Sequence, residues 1–145
     1  MERKKGRRKM KFDEIYIGQK FEKKFIVKSD HVLNFAEITG DKNPVHIDEE
    51  YAKNSIFGGR IAHGILLLGY VSSILGMEFP GPGTIYMSQN ANFLRPVYVG
   101  EEIKIVIEVL EKQMEKKRIT VSTNIYNKEG KICVEGRALL SLKFI

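Results

Sequence analysis

At 145 residues, with 43% hydrophobic and 29% charged side chains, the chain suits one globular domain with a proper core and is too apolar for a disordered one. Its single cysteine, Cys133, excludes an internal disulfide and argues against a thiolate metal site. The net charge of +6 resembles a nucleic-acid signal only until it is located: residues 1–11 carry seven basic side chains against Glu2, leaving 17 of each sign in the rest.

That basic stretch has no apolar core, so it is not a secretory signal, and it is too poor in serine for a transit peptide. The expectation is a flexible arm over residues 1–11 and one domain over 12–145, in the cytoplasm. The arm's other readings are contact with an anionic surface or with a phosphate-bearing ligand. Nucleic acid has only this arm behind it.

Phe12 to Lys28 reads as an entry segment and first strand, with Phe21, Phe25 and Val27 apolar. Ser29 stands where a helix N-cap belongs. Val32, Leu33, Phe35, Ala36 and Ile38 give a short helix its apolar face, which Gly40 ends. His31, at its start, reads as a surface residue. Asp48 is placed to cap a second short helix through Ala52. From Arg60 to Met77 the apolar residues occupy nearly every helical face, predicting a helix buried almost all round. Its apolar run, Ile65 to Leu75, is too short to span a bilayer, which takes about 20 residues. After the Phe79–Gly83 loop, alternation predicts strands over Thr84–Leu94, Glu101–Met114, Lys117–Tyr126 and Lys131–Phe144, the last two joined by an Asn127–Gly130 turn. A buried helix followed by antiparallel strands is an α+β arrangement in which the sheet wraps the helix.

Chemistry concentrates in Ile38-Thr-Gly-Asp41-Lys-Asn43-Pro44-Val-His46. Asp41 and His46 are five apart, not a helix-face spacing, so they meet only across a bend. Gly40 and Asn43-Pro44 supply one. A carboxylate and an imidazole on a stiff turn can hold a water for acid–base work. The plain alternative is ordinary turn chemistry, with Asp41 and Asn43 bonding local backbone.

Phe35-x-x-Ile-Thr-Gly-Asp-x-Asn-Pro-Val-His46 with Ala52, then Phe57-Gly-Gly-Arg-Ile-Ala-His-Gly64, then Asn92-Phe-Leu-Arg-Pro-Val-Tyr-Val-Gly-Glu101, resemble the R-specific enoyl-CoA hydratases, the MaoC-like dehydratases of the hot-dog fold. The resemblance spans most of Phe12 to Ile145. It implies a single hot-dog domain, usually dimeric, that adds water to a trans-2-enoyl-CoA and gives an R-3-hydroxyacyl-CoA in fatty acid metabolism. No cofactor is expected, coenzyme A being part of the substrate. No metal is expected either, since no compact ligand motif appears.

In that family's terms Asp41 and His46 are the catalytic pair, and Asn43 orients substrate or the turn. The Gly64 amide, at the head of the core helix, would donate to the thioester oxygen. His63 would assist there or simply pack. Ser72 and Leu75 would line an acyl pocket or belong to the core. Arg95 would meet a CoA phosphate or stand as an exposed corner residue. Expected partners are an acyl-CoA and further copies of the chain, with no membrane. Two rivals remain. A hot-dog thioesterase generally carries an acidic residue on its central helix, and Ile65 to Met77 has none. A non-catalytic acyl-CoA-binding module would not need an intact Asp/His pair.

Overall fold

Alternation settles the second half of the chain. In the computed structural model, which describes residues 10–143, the runs after Thr84 form β2 (Ile85–Phe93), β3 (Glu102–Gln113), β4 (Arg118–Asn127) and β5 (Ile132–Ser141). Their ends lie within about two residues of the expected limits, apart from Phe144, which falls outside the described residues. With β1 (Lys20–Ile26) they make one antiparallel sheet in the order β1-β3-β4-β5-β2. Ile103, Ile105, Ile107 and Val109 on β3, and Ile119, Val121 and Ile125 on β4, are buried, while their neighbours are partly exposed. This is the period-two pattern of a sheet with one covered face.

The cover is α4 (Gly64–Met77), whose Leu67, Val71, Ile74 and Leu75 join the strand residues in one core. Before it come α1 (Ser29–Thr39), α2 (Pro44–Ile47) and α3 (Glu49–Lys53). Gly40 ends α1 at φ 81°, a conformation that costs an L side chain energy but not glycine. The Asn127–Gly130 turn closes as expected, with the Gly130 amide on the Asn127 carbonyl. Among the described residues no helix is long and apolar enough to cross a membrane. The expected arm lies outside the described residues up to position 9. Met10 already belongs to the fold, its amide on the Pro80 carbonyl at 2.9 Å.

Four local expectations are corrected. The core helix begins at Gly64, not Arg60. Residues 60–63 run extended, because Val99 donates to the Arg60 carbonyl and Ala62 to the Val97 carbonyl. Nor is α4 buried all round in the single chain: Ile65, Gly69, Ser72, Ser73 and Met77 face outward. Ser29 is not a side-chain cap; it is the first residue of α1, and its hydroxyl accepts from Arg60 instead. His31 is half-buried, its Nδ1 2.9 Å from the Tyr70 hydroxyl.

Candidate active site

The Asp41–His46 turn is built by local bonds. The Asp41 amide donates to Thr39 Oγ1, and the Asn43 amide to Asp41 Oδ1 at 3.4 Å. Asn43 caps α2, accepting from the Val45 amide at 3.3 Å, and Pro44 occupies the first turn, where its missing N–H leaves nothing unpaired. Asp48 caps α3 through the Tyr51 amide at 3.0 Å, as its position promised.

The rest of the site is held from outside the turn, by the extended segment 60–63. Arg60 Nε donates to the His46 carbonyl at 2.7 Å, and the Ile61 amide to the Val45 carbonyl. His46 Nδ1 lies 2.7 Å from the Ile61 carbonyl, and His63 Nε2 lies 2.9 Å from the Asp41 carbonyl. A carbonyl oxygen only accepts, so both of those ring nitrogens carry protons. His46 Nε2 is therefore the nitrogen left with a lone pair. On its other edge the segment pairs with the third motif, Ile61 bridging Tyr98. The three sequence motifs thus form one assembly: turn, bracket and corner.

One ligand atom each from Asp41, His46 and His63 lie within 4.8 Å of one another. Two hydrogen bonds of about 2.8 Å meeting at a tetrahedral water span about 4.6 Å, so atoms this close can share a water. A tetrahedral zinc ion, with bonds of about 2.1 Å, needs donors about 3.4 Å apart. The two imidazoles are stacked at 3.9 Å between centroids. The same three side chains are also placed where they could hold a metal ion.

The two catalytic candidates differ in surroundings. His46 is 9% exposed, whereas Asp41 is open to solvent. Burial lowers the His46 pKa below the ordinary 6.5, helped by His63 and opposed by the Ile61 hydrogen bond and Asp41. A lowered pKa keeps the imidazole neutral, the form that can accept a proton.

A cavity of about 460 Å³ opens beside His46, with Phe57, Ile61, Gly64, Phe93 and Val97 in its wall. Arg95 is at its rim, with Nη1 on the Ile132 carbonyl. Neither Ser72 nor Leu75 lines it: Ser72 is exposed on α4 and Leu75 is 1% exposed in the core. Other hollows, of about 500 and 560 Å³, lie beside Lys20 and Tyr126, lined by mixed lysine and glutamate and away from the pair. At Gly64 an added Cβ would come within 2.5 Å of the Phe93 ring. The glycine therefore admits this aromatic, a contact that spacing in the sequence did not reveal.

Residues 13–130 match the model of the MaoC like domain. The chain belongs to the MaoC-like domain family. Over 131 residues it is 37% identical to a 3-hydroxybutyryl-CoA dehydratase of Methylorubrum extorquens, covering 90% of this chain and 83% of that protein. It is 36% identical to an (R)-specific enoyl-CoA hydratase of Rhodospirillum rubrum, over 88% of each. Among solved structures, the unliganded R-hydratase PhaJ1 of Pseudomonas aeruginosa superposes with a TM-score of 0.86 at 40% identity, over 90% of this chain and 83% of that one. The MaoC-like chain accordingly has the hot-dog fold, its five-stranded sheet laid around α4.

Proposed function

We propose that this MaoC-like protein is an R-specific enoyl-CoA hydratase, a hydro-lyase that adds water reversibly to a trans-2-enoyl-CoA. The observation that carries the reading is the clustering of Asp41 with a buried His46, their ligand atoms within 4.8 Å, where His46 borders an apolar cavity. In hydration the water oxygen bonds Cβ and one water proton passes to the pair. Charge moves through the double bond to the thioester oxygen, and a proton from the pair then reaches Cα. His46 Nε2, the ring nitrogen left unprotonated once Nδ1 bonds the Ile61 carbonyl, takes the water proton, and the Asp41 carboxylate orients the water. The Leu66 amide turns back onto the His63 carbonyl, while the Gly64 amide opens α4 at the positive end of the helix dipole, so it suits the developing oxyanion. His63 and Asn43 act through the turn, one on the Asp41 carbonyl and the other as cap of α2.

A thioesterase reading gains nothing, because α4 presents no carboxylate from Gly64 to Met77. The enzyme acts as a homodimer or larger homo-oligomer in the cytoplasm, within fatty acid metabolism. β2 is an edge strand, with Ile85, Met87 and Phe93 each more than 40% exposed. Beside it the outer face of α4 is open, and pairing with a second copy would cover such an edge. Crotonyl-CoA with purified protein, followed by loss of enoyl absorbance and chiral analysis of the product, tests the activity. R-3-hydroxybutyryl-CoA is the expected product; free coenzyme A with no hydroxyacyl product would make it a thioesterase. Sedimentation at micromolar concentration tests the assembly, and a monomer would overturn it.

A further inference from the structure

The catalytic imidazole sits in α2, a helix of four residues. One turn has no stability of its own, since nucleation fixes several residues for a single hydrogen bond. Something must hold it. Arg60 is 12% exposed at its side chain and reaches three elements: Nε to the His46 carbonyl at 2.7 Å, Nη1 to the Ser29 hydroxyl at 3.1 Å, and Nη1 to Glu49 Oε2 at 3.8 Å. These are the residue carrying the base, the head of α1 and the head of α3. Its Nη2 is buried without a hydrogen-bond partner. Burying a charged group with one N–H unpaired is unfavourable, and Glu49, whose side chain is 78% exposed, offsets that charge weakly. A site needing only packing would be served as well by an apolar side chain.

We propose that Arg60 is a positioning residue for the hydration, fixing the His46 end of the pair by clamping its backbone carbonyl to the heads of α1 and α3. The rigid guanidinium fork makes several bonds at fixed angles, which a lysine ammonium cannot reproduce. A displacement of about 1 Å at a reacting group can cost about 100-fold in rate. Arg60 touches neither the gap nor the cavity lining, so it acts on kcat rather than on substrate affinity.

The inference rests on the hydratase reading, and its test separates the two. Steady-state kinetics with crotonyl-CoA on wild type, Arg60→Lys and Arg60→Ala should show kcat lower by about 10–100-fold, with KM within about twofold. Guanidinium ion added to Arg60→Ala should restore kcat at least threefold and leave Arg60→Lys unchanged. Hydrogen exchange of the His46 Nδ1–H, followed by NMR, needs no turnover and should be at least tenfold faster in both variants. An inactive wild type would break the hydratase reading, and the exchange rates would then decide the clamp by themselves. If Arg60→Ala does not fold, Arg60→Lys carries the comparison. A variant that folds with kcat within threefold of wild type, or with wild-type exchange at His46, overturns the proposal.

Discussion

The two sides of the gap between Asp41 and His46 are built in opposite ways. The Asp41 side is a solvent-exposed turn whose own side chains bond locally, at Thr39 and Asn43, while one distant ring, that of His63, reaches the Asp41 carbonyl. The His46 side is buried and gripped from residues 60 and 61, far along the chain. An exposed carboxylate can turn to meet a water. A buried imidazole, fixed in one tautomer and kept neutral, is preorganised to accept a proton. The difference teaches that, in the proposed mechanism, one member of the pair would supply charge and the other placement.

The largest effects should come from removing either member. Asp41→Asn and His46→Gln should each lower kcat by about 10²–10⁴-fold, with the double variant little worse than the worse single one, because the two act as a unit. Stability should separate what activity does not. Asp41→Asn should leave Tm almost unchanged, whereas His46→Gln gives up the bond to the Ile61 carbonyl and should lower it by several degrees. Equal Tm losses would break the contrast, and retained turnover in both would sink the mechanism.

Gly64→Ala comes next. Its Cβ would meet the Phe93 ring at 2.5 Å, but that ring is 52% exposed and can give way. We expect a loss of about 1–3 kcal/mol and a fall in kcat above tenfold as the helix head shifts. Thermal melts of Gly64→Ala, Phe93→Leu and the double variant form a cycle. Partial recovery in the double variant is the expected result, and strict additivity would mean the contact is not what the glycine accommodates.

What the sequence made legible was whatever depends on neighbours in sequence. Gly40, Asn43-Pro44 and Asp48 announce their turn and caps locally, and the strands announce themselves by alternation. The Asp41–His46 pairing was readable because one bend of that kind joins them. The grip on His46 was not, since its acceptors are backbone carbonyls of Ile61 and of His46 itself, which no side-chain pattern marks. Arg60, Ile61 and Ala62 look like the start of a helix by composition, yet pairing with residues 97–99 holds them extended. The outer face of α4 was obscured in a similar way. Counting apolar positions hides the small residues Gly69, Ser72, Ser73 and Gly76, which lie between the large ones. Leu75 fell within the core and Ser72 on that outer face, so neither reaches the cavity beside His46.

A smaller effect concerns acid. The His46 pKa is lowered on folding, so the unfolded chain takes up its proton first as pH falls. Stability from this group is therefore complete above about pH 6.5 and is lost as pH drops below that value toward the folded pKa. The same titration should appear in kcat/KM, flat above 6.5 and declining on the acid side with a midpoint below it. A profile with its midpoint above 6.5 would show that the imidazole is charged more readily than its burial implies.

The smallest effect should be at Asp48, the next carboxylate along the chain after the pair and therefore a sharp control for the choice of Asp41. Its Oδ1 accepts from the Tyr51 amide at 3.0 Å, and it stands outside the cluster formed by Asp41, His46 and His63. Asparagine caps a helix about as well as aspartate, so Asp48→Asn should hold stability within about 0.5 kcal/mol and activity within about twofold. Asp48→Ala removes the cap and should cost about 0.5–2 kcal/mol, read as a lower Tm with kcat per folded molecule nearly preserved. If Asp48→Asn instead lost as much kcat as Asp41→Asn, a negative charge beyond α2 would matter to the reaction. The exposed turn would then not be the sole source of charge opposite His46, and the division between a charge-supplying side and a placing side would have to be redrawn.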